Sequence, residues 1–137
     1  MHGDGPRAAD TVAWLGRARA DLRAADIDIA ATPPLLADAA FHCQQAAEKA
    51  LKAFLTWQDV AFRRTHDLSE IGKQCSEIDA SLAAVCECAD RLTAYAWTFR
   101  YPGDELDPTL AEVAEAREIA EEVYDAVVVR LPDSASP

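Results

Sequence analysis

With 137 residues, half of them apolar, the chain is long enough for one domain with a full core and too apolar to stay disordered. Thirteen basic residues against 24 acidic ones give a net charge of −11. That charge repels a phosphate backbone at long range and excludes sequence-independent coating of DNA, leaving room only for a local basic pocket.

Residues 1–9 are polar and are expected to fray. From Asp10 to about Ile29, Val12, Trp14, Leu15, Ala18, Leu22, Ala25 and Ile29 recur at threes and fours, which predicts an amphipathic helix. Thr32-Pro33-Pro34 breaks it, with Thr32 as the expected cap of the next helix. That second helix is predicted over about Pro34 to Gln58. Leu36, Ala40, Cys43, Ala47, Ala50 and Phe54 form its apolar stripe, with His42, Gln45, Lys49 and Lys52 on the opposite side and Gln44 and Glu48 flanking the core. An arginine-rich loop follows, and Asp67-Leu68-Ser69-Glu70 has capping-box spacing for a short helix ending near Gln74. A fourth helix is predicted over Ala80 to Phe99, with Leu82, Val85, Cys86, Ala89, Leu92, Ala96 and Phe99 inward. Asp107-Pro108 reads as cap and first residue of a last helix running to about Arg130. Residues 132–137 are expected to be loose. The alanine-rich composition favours helix, and no strand pattern is present. The expected fold is a single all-α domain over 1–137, with its core at about 10–130. It is an antiparallel up-and-down bundle of four long helices plus one short one.

No apolar run approaches the ~20 residues a membrane span needs. Met1-His2-Gly3-Asp4-Gly5-Pro6 carries no apolar export signal, so a reducing cytoplasm is expected, with Cys43, Cys75, Cys86 and Cys88 as free thiols. Cys86-Glu87-Cys88 sets two thiols about 100° apart on a helix with no histidine nearby in sequence, so neither a metal centre nor a cofactor is expected.

Phosphate-loop, H-E-x-x-H and G-x-S-x-G templates are absent. His42 and His66 are left as the acid–base groups outside the expected frayed start. Three clusters remain, each with two readings. The His42, Gln45, Lys49, Lys52 stripe either binds a phosphate or RNA strand, or is a solvated face with a Glu48–Lys52 i,i+4 pair. Arg63-Arg64-Thr65-His66-Asp67 is either an anion site at a helix start or a cap with loop charges. Arg100-Tyr101-Pro102 either holds a phosphate under a stacked base or ends a helix with a favourable charge.

Together these segments resemble the HEPN family. Phe41-His42-Cys43-Gln44-Gln45-Ala46-Ala47-Glu48-Lys49-Ala50-Leu51-Lys52-Ala53 is similar to its "H-x-Q-Q-A-x-E-K-x-L-K-A" helix, Thr65-His66-Asp67-Leu68 to its "T-H-D-L", and Arg100-Tyr101-Pro102 to its "R-Y-P". The resemblance implies a helical homodimer, often paired with a minimal nucleotidyltransferase as a toxin–antitoxin system. In catalytic members it implies a metal-independent ribonuclease whose arginine is followed, after four to six intervening residues, by histidine. Here Glu105, Leu106 and Asp107 stand where that histidine would be. The expectation is therefore a module that binds a nucleotide, an RNA or a nucleotidyltransferase. Arg100, Tyr101, Lys49, Gln45, Lys52, His66 and His42 would be its contact residues. The alternatives are a ribonuclease using Arg100 with His66, and a structural adaptor.

Overall fold

The computed structural model describes residues 4–62, 65–96 and 107–137. Among them are the α-helices α1 (Asp4–Ala30), α2 (Leu36–Trp57), α3 (Leu68–Ile78), α4 (Ala83–Asp90) and α5 (Leu110–Val128), with no strand. The all-α expectation is met, and no described helix is long and apolar enough to cross a membrane.

Helix α1 reaches back to Asp4, through residues expected to fray. Pro6 falls in the first turn, where its missing N–H costs no hydrogen bond. The Arg7 guanidinium lies 4.0 Å from the Trp57 ring centroid, and Ala8 packs on the core. The far end is also better ordered than its composition suggests: Asp133–Ala135 forms a 3₁₀ turn with Ala135 fully buried.

Helix α2 is the centre of the domain. Its residues are buried almost without break from Ala39 to Leu55, on every side, as expected of a helix packed between others. Small residues (Ala18 and Ala25 on α1; Ala46, Ala47, Ala50 and Ala53 on α2) let the backbones approach, and Leu15, Leu51, Phe54 and Val123 fill the space between. Its N-cap is Leu35, with no side-chain hydrogen bond, rather than Thr32. The turn is held instead by Leu35 N–H donating to Asp28 O at 2.9 Å. At the other end Val60 N–H reaches Leu55 O (2.9 Å) and Asp59 N–H reaches Thr56 O (3.1 Å), with Asp59 at φ 57. This is a Schellman stop in which Asp supplies the left-handed residue usually given by Gly.

Helix α1 runs opposite to both α2 and α5, which run in the same direction with Ala39 and Ala40 against Val113. The start of α1 meets the end of α2 at Arg7 and Trp57, and the end of α1 meets the start of α5 through Asp26 and Arg117. Arg130, just past α5, reaches Asp79 and Ser81 ahead of α4. The expected fourth long helix is interrupted. A 3₁₀ turn at Ala80–Leu82 precedes α4, and a second at Thr93–Ala96 follows Arg91 and Leu92. The break is anchored by tertiary contact: Leu68 N–H, at the head of α3, donates to Thr93 Oγ1 at 3.1 Å. Helices α3 and α4 pack so closely that a Cβ on Gly72 would stand 3.0 Å from Cys86 Cβ, so glycine is the residue that fits there.

Helix α3 begins at its expected cap, with Asp67 accepting from Ser69 N–H, but runs to Ile78 rather than Gln74. Helix α5 starts two residues beyond the expected position. Thr109 and Glu112 form a reciprocal capping box, so Thr109 is the cap in place of Asp107.

Candidate functional site

The polar residues of α2 do not form a solvated face. Gln44 and Glu48 are almost fully buried, and Gln45 and Lys52 are only 8 % exposed. They build two networks with partners from other elements.

The first centres on Glu48. Its Oε2 accepts from Lys52 Nζ (2.9 Å), the i,i+4 pair read from the sequence, and its Oε1 accepts from Gln44 Nε2 (3.0 Å) and His66 Nδ1 (2.8 Å). Gln44 Nε2 also donates to His66 O (3.2 Å), and Gln45 Nε2 donates to Gln44 Oε1 (2.6 Å). The Lys52 ammonium also lies 5.6 Å from the Trp14 ring and 5.4 Å from the Phe62 ring, within cation–π range. Burial by itself would push the Glu48 carboxyl up, but hydrogen bonds from Lys52, Gln44 and His66 outweigh it and hold the group below its ordinary value. Glu48 is therefore an anion at neutral pH and fixes His66 by one ring nitrogen. The His66 side chain is 57 % exposed, so the ring stands out from a buried anchor.

The second network lies where the end of α1 meets the start of α2. Asp21 takes His42 Nδ1 on Oδ1 (2.8 Å) and Lys49 Nζ on Oδ2 (2.6 Å). His42 Nε2 lies 3.4 Å from Asp38 Oδ2, one turn earlier on α2. Asp28 completes the group. It is 7 % exposed, and its Oδ2 receives no hydrogen bond. Burial, then its contact with Asp38, raise its carboxyl from 3.8 to about 6, against a smaller opposing pull from His42.

The sequence expectation of one surface carrying Gln45, Lys49, Lys52, His42 and His66 is thus redrawn. Gln45 and Lys52 serve Glu48, whereas His42 and Lys49 serve Asp21. Only His66 presents most of its side chain to solvent. The physical reason is that α1 and the 57–62 segment cover this stripe, bringing Asp21, Trp14 and Phe62 against it. Arg100, Tyr101 and Pro102, together with Arg63 and Arg64, lie outside the described residues. Asp21, Asp28 and Asp38 belong to none of the three sequence clusters. The signal for one of them was present as Asp38-x-x-x-His42, an i,i+4 pair that shares a helix face.

The four cysteines behave as core and boundary residues: all are free, Cys43, Cys75 and Cys86 are buried, and Cys88 is half-buried. Burial pushes the Cys43 thiol up to about 12 and raises Cys75 and Cys86 as well.

Among known proteins, a family model described as "HEPN domain" matches residues 11–131, nearly the whole chain. No curated protein and no solved structure matches.

Proposed function

Because the chain belongs to the HEPN domain family, we propose that it is a dimerising, non-enzymatic helical module that binds a nucleotide or an RNA end where His66 emerges. In this reading its protein partners are a second copy and a minimal nucleotidyltransferase, the chain forming one half of a toxin–antitoxin pair in the cytoplasm of a bacterium or archaeon. One observation carries the ligand assignment. A buried, ionised Glu48 holds an exposed histidine by Nδ1, which leaves the Nε2 edge to meet a ligand. Gln45 and Lys52 then act by positioning, through Glu48. Phosphate contact falls to Arg100, with Tyr101 stacking on the base, and Lys49 and His42 frame the neighbouring surface. The acidic body keeps non-specific nucleic acid away and restricts binding to this spot.

Calorimetry with ATP, GTP and short RNAs tests the reading. Binding by the wild-type chain is expected, weakened roughly 10–100-fold by His66→Ala and by Arg100→Ala, the loss expected when a charge-assisted hydrogen bond is removed. Unchanged thermal midpoints would verify that both variants fold. Absence of heat with every ligand would defeat the proposal.

The same dyad favours a second reading, a metal-independent ribonuclease. A carboxylate on Nδ1 sets the tautomer in which Nε2 can take a proton from a ribose 2′-hydroxyl, and Arg100 would steady the phosphate. Cleavage of total RNA in chelator, lost in both variants, would place this reading above the first.

A further inference from the structure

We propose that Asp28, Asp38 and His42 form a binding site for a divalent first-row transition-metal ion, Zn2+ or Mn2+, at the end of the α1–α2 hairpin. Each residue offers one ligand atom, and these atoms all lie within 4.8 Å of one another. His42 Nε2 and Asp38 Oδ2 are already 3.4 Å apart, close to the separation of about 3.4 Å that a tetrahedral ion with bonds of about 2.1 Å imposes on its ligands. Asp38, one turn before His42 and with its side chain 58 % exposed, is free to close the remaining distance, and it leaves the site open for entry and for water ligands.

Three further observations point to a cation rather than to a chance cluster. Asp28 Oδ2 is buried without a hydrogen-bond donor, a costly condition that a metal bond would relieve. His42 Nδ1 is bonded to Asp21 Oδ1, the outer carboxylate that commonly orients a metal-binding imidazole and leaves the Nε2 lone pair facing the ion. The charge is also unbalanced. Asp21, Asp28 and Asp38 meet one ammonium, Lys49, which is already committed to Asp21, so two carboxylates remain beside the His42 ring without a lysine or arginine partner of their own among the described residues of this cluster. One imidazole with two carboxylates suits Zn2+ or Mn2+ better than Mg2+, which prefers oxygen ligands and keeps several waters. The placement is not accidental to the fold: Leu35 N–H on Asp28 O ties the end of α1 to the start of α2.

The chelator-treated and dialysed full chain, titrated with ZnCl2 and separately with MnCl2 in a calorimeter, tests the site. One ion per chain is expected, with a rise in thermal midpoint at saturation. Asp38→Asn, at an exposed position where folding is retained, is expected to weaken binding of both ions ~100-fold or more, and Asp21→Asn about 10–100-fold through loss of the outer carboxylate. His66→Ala and Cys88→Ser should bind as wild type. Failure of both ions to bind at about 1 mM, or Asp38→Asn binding either ion like the wild type, would overturn the proposal. In the latter case thiolates or the Glu48–His66 pair would be the true ligands. The readout is independent of nucleotide or RNA binding, so the two proposals stand or fall separately.

Discussion

Replacing Glu48 with alanine is expected to cost about 3–5 kcal/mol of folding stability and to lower the thermal midpoint by roughly 10–20 °C. The loss comes less from the missing bonds than from what is left behind. The Lys52 side chain, 10 % exposed, would keep its charge with no carboxylate, and Gln44 would lose the acceptor that fixes its amide. Replacing both ends, Glu48→Leu with Lys52→Met, should recover most of the loss, because a buried pair contributes little net stability over a well-packed apolar one. Urea unfolding of the two variants beside the wild type checks this. The pH dependence follows in sign. Glu48 titrates lower in the folded chain than its ordinary value of 4.5, so its contribution is complete above that value and is lost as pH falls through the folded one. The wild type should therefore lose stability below about pH 4.5 more steeply than Glu48→Gln.

Asp28→Asn is expected to act in the opposite direction and to stabilise the chain at pH 7, in chelator, by about 1–3 kcal/mol. The folded carboxyl titrates near 6 against an ordinary 3.8, so the folded state holds its proton more tightly. That contribution is complete below 3.8 and disappears as pH rises through 6, leaving a buried anion beside Asp38 at neutral pH. Asparagine removes the anion and can donate to Asp38. The variant and the wild type should thus converge near pH 4 and separate by pH 7 in unfolding experiments, and equal stability at both pH values would contradict the assignment.

The sequence disclosed the helices well because burial repeats at threes and fours in them. It was less informative at their ends, where several residues compete to cap. Thr109 prevails over Asp107 because Glu112 lies at the spacing for a reciprocal bond, and Leu35 takes the place of Thr32 because the turn is tied through Asp28 O. The break after α4 was not legible, since Leu82, Cys86, Ala89, Leu92 and Ala96 stay buried through the 3₁₀ turns and preserve the pattern of a continuous helix. The polar stripe of α2 shows the same limit. A helical repeat shows which side chains share a face, but not that Asp21, Trp14 and Phe62 will come to cover it. The Glu48–Lys52 pair was visible as an i,i+4 spacing, whereas the Asp28 contact spans a turn whose geometry no local spacing encodes.

The unequal burial of the thiols turns the chain into its own conformational reporter. Three sulfurs lie in the interior and are held as unreactive thiols, whereas Cys88 alone is half open to solvent. A maleimide should mark the native fold once, at α4, and the unfolded chain at all four positions. The mass added to each molecule then counts opened protein directly, with no engineered tag.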